Sequence, residues 1–227
     1  MLELYKILTF PEDYQRMPAL DDDPQGCVNY ATTTAAAQGV VQAYPISKDE
    51  AMNFGHPQEV IDHLHETLGA SQAVIEVEDG TNSNGMPYIY SIVKSRANGE
   101  ADTSASDAAD HRDYGRPSEW GGGTQYTLIF HGLCGHEVFC VRALFTERGV
   151  TGKREAAVWN YLRDRGVVSD HDTSKWARDP YDRSMVRSYL MNLSERADFD
   201  EAFPDHPLSV CRALVRFWKG ESEDFFF

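Results

Sequence analysis

Five aspartates and a histidine near the C-terminus could do chemistry together: Asp179, Asp182, Asp198, Asp200, Asp205 and His206. Carboxylates beside an imidazole suit two kinds of reaction. Acid–base catalysis needs two groups whose surroundings push their pKa values apart. Metal-assisted hydrolysis needs carboxylates that converge on one ion. Asp179, Asp182 and His206 are the residues such a hydrolase would use. The same residues also suit structure. Asp before Pro, as at Asp179-Pro180, initiates a turn. Asn192 with Glu195 three residues on resembles a capping arrangement, here before a short helix through Phe203. Asp205 or His206 caps a final helix that Pro207 opens. Sequence alone does not show convergence, and turn and cap chemistry accounts for each residue, so the structural reading leads and the hydrolase is the alternative.

Aromatic residues interleave with these acids. Trp176, Tyr181, Tyr189, Phe199 and Phe203 follow no helical or strand period. They are expected to anchor the C-terminal segment onto the body of the fold. Trp176, Tyr181, Tyr189 and Phe203 are also the candidates for lining a binding groove, because aromatics at a surface act as binding anchors.

Other groups carry less. His131, Cys134 and His136 have zinc-ligand types, but they straddle a hairpin turn and no fourth ligand lies near; no metal is expected. His63 and His65 point about 200° apart on a helix, so they do not chelate one ion together, and His65 reads as a structural histidine. Gly121-Gly122-Gly123 precedes a strand and lacks the Lys-Ser/Thr pair of a phosphate loop. No G-x-S-x-G elbow is present. No cofactor is implied.

The elements that must hold these residues follow from periodicity. Residues 1–26 are an irregular lead-in with one short strand near Tyr5 to Phe10. Cys27 to Thr34 and Val40 to Ile46 read as strands joined around Gln38-Gly39. Pro57 opens a helix with Ile61, Leu64, His65 and Leu68 on one stripe, closed by Gly69 in a left-handed conformation. Ala73 to Val77 and Pro87 to Arg96 are strands. Residues 97–122 are small, polar and aperiodic and are expected to form a mobile excursion.

Gly123 to Leu133 and His136 to Phe145 read as a hairpin about Cys134-Gly135. This pairing sets Phe130 opposite Phe139, Leu128 opposite Val141 and Tyr126 opposite Ala143. The hairpin is apolar on both sides, so it needs cover on both sides. In this register Cys134 and Cys140 do not oppose each other, and no disulfide is expected between them. Thr151 caps a helix with Ala157, Val158, Tyr161 and Leu162 inward. The last helix carries Val210, Leu214, Phe217 and Trp218, with Arg212 and Arg216 beside that stripe. Residues 221–227 form a tail.

Composition bounds the function. The net charge of −15 over 227 residues disfavours nucleic acid, which needs a basic footprint, and an anionic membrane surface. It favours solubility and attraction to a basic partner. No apolar run approaches the length of a membrane span. No secretory signal opens the chain, and the four scattered cysteines suit the reduced cytoplasm.

The stretches Gly85–Ile92, Phe145–Arg154, Asp179–Asp182 and Met191–Glu195 resemble those of an uncharacterised bacterial family of cytoplasmic proteins. That resemblance, over about residues 27–218, implies no activity. The order of strands, helix, long antiparallel strands and helix loosely resembles the PsbP-like α/β/α sandwich. The second resemblance implies a binding or assembly role, by analogy of fold alone.

Together these readings predict one α+β domain spanning 27–220. A mainly antiparallel sheet is covered by helices on both faces, and the C-terminal segment wraps the sheet edge. The expected function is that of a non-enzymatic cytoplasmic protein-binding domain, of inhibitor or immunity type, facing a basic protein.

Overall fold

The computed structural model describes residue 4 and residues 8–96, 123–169, 175–177, 179–182, 184 and 191–220. The expected excursion at 97–122 and the tail at 221–227 lie outside the described residues. Alternating β-branched and aromatic residues build seven strands. These are β1 (Gln15–Met17), β2 (Val28–Thr33), β3 (Ala37–Ile46), β4 (Gln72–Thr81), β5 (Pro87–Arg96), β6 (Thr124–Cys134) and β7 (Glu137–Glu147). They form one antiparallel sheet in the order β1-β2-β3-β7-β6-β5-β4. Two meanders are joined by helix α1 (Pro57–Thr67), and the second returns so that β7 lies against β3.

Helices cover both faces, as a sheet apolar on both sides requires. On one face Tyr90, Ile92, Tyr126, Leu128, Phe130, Phe139, Val141 and Phe145 pack under helix α3 (Pro207–Lys219), which supplies Leu208, Cys211, Leu214, Val215 and Trp218. Leu4 and Leu8 complete this main core. On the other face Val74, Val77 and Ile89 pack under Val60 and Ile61 of α1. Helix α2 (Lys153–Asp164) makes a third cluster through Val158, with Val168, Trp176 and Ala177.

A bulge in β4 decides what faces α3. Val74 pairs with Val93 but Glu76 pairs with Ile92, so Ile75 is the extra residue. The bulge keeps Ile75 and Glu76 on one side. Glu76 and Glu78 therefore lie on the α3 face, and Val74 and Val77 on the α1 face.

Two close approaches place glycine in mid-strand. A Cβ on Gly132 would lie 2.3 Å from the ring of Phe139, and one on Gly39 would lie 2.6 Å from the ring of Phe145. Both rings lie across the neighbouring strand. Gly39 thus serves packing rather than the expected turn, which falls at residues 34–36. There the Thr34 hydroxyl accepts from the Ala37 amide at 3.0 Å.

Several expectations are corrected. The hairpin turns at Gly135-His136, with Cys134 opposite Glu137, Phe130 opposite Val141 and Tyr126 opposite Phe145. Gly135 takes φ 63°. A two-residue turn needs positive φ at its first central position, which glycine adopts and Cys134 does not. The slip is two residues, so every side chain keeps its face. Cys140 now pairs with His131, and Cys27, Cys134, Cys140 and Cys211 are all free thiols.

Gly69 is not left-handed; α1 ends with Leu68 extended, its amide donating to Leu64 O at 2.9 Å. Thr151 does not cap α2, which follows Gly152 at φ 74°. Ala157 and Tyr161 are exposed and Arg154 is buried instead, because the ion pairs of Arg154 set which side of α2 turns inward. No strand runs through Leu8–Phe10. Leu8 N donates to Leu4 O, and the short strand of the lead-in is β1. The helix expected through Phe203 is two 3-10 turns, Leu193–Glu195 and Ala197–Phe199.

Candidate functional site

The aspartates and histidine of the C-terminal segment separate into three places. Asp179 and Asp182 sit at the β4 edge of the sheet. The Asp179 Oδ1 accepts from the amides of Tyr181 and Asp182, both at 2.9 Å. This is an Asx turn, as Asp before Pro suggests. The Asp179 Oδ2 lies 3.2 Å from His65 Nε2 of α1, with both side chains largely buried. Tyr181 then reaches the sheet: its hydroxyl accepts from Val77 N at 2.6 Å and donates to Val77 O at 3.2 Å. Because β4 is the outermost strand, this contact satisfies backbone that would otherwise be an open edge. Burial, ahead of smaller effects, raises the Tyr181 phenol above its ordinary value, so it stays a hydroxyl. Asp182 accepts from Ser184 N at 2.9 Å and Ser184 Oγ at 2.6 Å.

His206 lies elsewhere. Its Nδ1 accepts from Leu208 N at 3.3 Å, which makes it the N-cap of α3. Its Nε2 faces Glu147 Oε1 of β7 at 3.6 Å, and its ring stands edge-on to Tyr126 with centroids 5.6 Å apart. Glu147 also accepts from Gly152 N at 3.1 Å and Thr124 N at 3.4 Å. Burial pushes the Glu147 carboxyl up, but His206 and these amides outweigh it and hold it below the ordinary range. Strands β7 and β4 are three positions apart, roughly 14 Å at the usual strand spacing. His206, against β7, is therefore not brought together with Asp179 and Asp182 at β4.

Asp200 belongs to a third place, a buried layer of charge between sheet and C-terminal segment. Arg154 Nη1 donates to Asp200 Oδ1 at 2.9 Å and to Ser209 Oγ at 2.8 Å, while its Nε donates to Ser194 O at 2.7 Å. Arg212 Nε donates to Glu76 Oε2 at 2.7 Å, its Nη2 to Glu195 O at 2.8 Å, and its Nη1 lies 3.3 Å from Asp200 Oδ1. The Asp200 Oδ2 faces Arg216 at 3.6 Å. Lys94, fully buried, donates to Glu195 Oε1 and Glu155 Oε1, both at 2.6 Å. The other oxygen of Glu195 accepts from Tyr126 at 3.0 Å. Desolvation works to lower the Lys94 ammonium, but Glu195 and Glu155 outweigh it and its pKa rises. Desolvation likewise opposes the Arg212 charge, and Glu76 and Asp200 override it. Each ion has a partner, as buried charge requires. Both Glu195 oxygens are engaged inside the fold, and this layer braces the C-terminal segment against the sheet.

Sequence reasoning does not single out Lys94, Arg154, Glu155 or Glu76, and it reads Glu195 only as part of a cap. One signal was present for Lys94. It follows Tyr88, Tyr90 and Ile92 at alternate positions, so the strand period puts it on the core face. The expected capping role of Asn192 is met at Ser194 N, at 2.9 Å. Glu195 instead turns away to Lys94.

The aromatic candidates divide similarly. Trp176 is buried edge-on to Trp159, centroids 5.1 Å apart. Tyr181 closes the β4 edge. Phe203 is half-buried and lines a cleft of about 400 Å³ with Val158, Tyr161 and Phe199. Tyr189 lies outside the described residues. On the α1 face, His131 Nδ1 accepts from Met52 N at 2.9 Å, and burial pushes its pKa down to about 4. It is a neutral acceptor that holds the segment leading to α1. Among the described residues no three or more His, Cys, Asp or Glu side chains are grouped to hold a metal ion. No described helix is long and apolar enough to cross a membrane. No protein-family model and no curated protein matches the chain.

Proposed function

We propose that this chain is a non-enzymatic cytoplasmic protein-binding domain, of inhibitor or immunity type, whose partner is basic. One observation carries the reading. The residues best suited to chemistry are occupied with structure, while the acidity is left outside. Among the described residues the buried ionic side chains are Lys94, Arg154 and Arg212 against Asp179, Glu195, Asp200 and the carboxylate of Glu147. Cations and carboxylates nearly balance there, so this interior absorbs little of the net charge of −15. A surface field of that sign speeds encounter with a basic protein and repels nucleic acid and anionic membranes. The resemblance to the PsbP-like sandwich, whose members mostly bind or assemble, points the same way. Its support is the order of strands, helix, strands and helix around an antiparallel sheet.

The test is a pull-down from the native host at about 50 and about 300 mM salt, a range over which surface electrostatics weaken. The reading expects a basic partner retained at low salt and lost or weakened at high salt. No partner at either salt refutes it.

A further inference from the structure

The two edges of the sheet are treated differently. At β4 the hydroxyl of Tyr181 bonds both backbone groups of Val77. At β1 no described strand lies outside Gln15–Met17, and all three residues are exposed. In an antiparallel ladder alternate residues aim N–H and C=O away from the partner strand. At least one of Gln15, Arg16 and Met17 therefore offers both groups outward.

The surroundings of β1 are apolar and acidic. Met17 is 46 % and Leu20 52 % exposed, two of the few large apolar side chains that face solvent. Glu12, Asp13, Asp21 and Asp22 are exposed around them, with Arg16 the one basic residue between Glu12 and Asp23. Edge strands are commonly blunted by shortness, charge or proline. β1 is three residues long and is followed by Pro18, so only a short stretch of backbone is open, and it lies among carboxylates and apolar side chains.

We infer that β1 is the docking edge for the partner, and that the docked element is an extended segment carrying alternate basic and apolar side chains. Backbone pairing with β1 gives it affinity, Met17 and Leu20 receive its apolar side chains, and the flanking carboxylates receive its cations. A second copy of this chain is the poorer occupant, because it would set the same acidic edge against itself. The inference rests on the proposed binding function and names its surface.

The test uses three capped hexapeptides with the full chain: alternating Lys-Val, alternating Glu-Val, and Lys-Val with alternate amides N-methylated. Amide shifts and hydrogen exchange are read by NMR. The Lys-Val peptide should shift Gln15 to Leu20 and slow exchange there, binding about tenfold tighter than the Glu-Val peptide at low salt. N-methylation should abolish binding, since it removes the pairing donors. Glu12→Lys with Asp21→Lys, both exposed, should abolish the preference for the Lys-Val peptide with the melting temperature unchanged.

Shifts confined to another surface would overturn the inference. So would equal binding of the N-methylated probe, a preference untouched by charge reversal, or a dimer in light scattering whose β1 amides are already protected. A host partner whose capture survives the charge reversal also overturns it and leaves the proposed function standing. Recovery of no host partner defeats the proposed function, while the peptide mapping still judges the edge.

Discussion

Replacing Lys94 by methionine tests whether the buried charge layer is structural. Methionine approximates the volume of the lysine stem, so the main change is loss of the ammonium. Glu195 is 1 % exposed and would keep only the Tyr126 hydroxyl. Glu155, with its side chain 27 % exposed, can rehydrate, so the penalty falls on Glu195. Stranding one ion of a buried pair costs about 3–5 kcal/mol. For a domain of this size that corresponds to a fall in melting temperature of roughly 6–20 °C. The double variant Lys94→Met with Glu195→Leu removes both ions and should recover most of the loss, since apolar replacement of a buried pair is often about neutral. Urea unfolding followed by tryptophan fluorescence measures both, with an unchanged m-value as the check that the same surface unfolds. If Lys94→Met leaves the midpoint unmoved, the charge layer is not what holds the segment. A double variant as unstable as the single would show that Glu195 was not the stranded ion, and the reasoning fails.

Three further outcomes are expected. The His131 pKa in the fold, about 4, lies below the ordinary value of about 6.5. The unfolded chain therefore takes up this proton first as pH falls. The stability that neutral His131 confers is complete above about pH 6.5 and shrinks towards pH 4, by about 3 kcal/mol in all. His131→Gln should flatten the stability profile between those values, and an identical slope in both proteins would refute the assignment. Gly132→Ala should cost about 1–3 kcal/mol in urea unfolding, because its methyl group would meet the Phe139 ring. A neutral result would mean the ring moves aside freely. Tyr181→Phe should cost about 1–2 kcal/mol, as Val77 loses both bonds. Hydrogen exchange should rise at the Val77 amide, and an unchanged rate there would show that the edge is closed by something else.

The strands of the second meander, all three helices and the cover on both faces could be read from periodicity, because alternation and the i, i+3, i+4 stripe report burial directly. Registers and caps could not. The hairpin reading gave the right faces and the wrong partners, since a two-residue slip preserves every inward side chain and only the φ demanded of the turn separates Gly135 from Cys134. The α2 face was misjudged for a related reason. Tyr161 and Ala157 look like core by hydropathy, yet Arg154 turned inward because Asp200, Ser209 and the Ser194 carbonyl, 40 or more residues away, satisfy it there. Such a contact leaves no local mark in the chain.

The same blindness explains why the C-terminal acids look like a site when read in sequence. A helix such as α3, apolar along one side, can slide by a turn of about 5.4 Å over a flat apolar face at modest cost. Ion pairs and backbone contacts at fixed points do not permit that slip. Arg212 meets Glu76 and Lys219 meets Glu78, both at 2.7 Å. At the helix end, Ser83 N donates to Lys219 O and Asn82 Nδ2 to Trp218 O, both at 3.1 Å. His206 fixes the first turn and Asp200 the approach to it. Positions that set register need polar groups with strict geometry, and so does catalysis. Composition therefore cannot separate the two uses, and what separates them is where the oxygens point. In the Glu195, Asp200 and Asp179 side chains they point into the fold, against Lys94, Arg154 and His65.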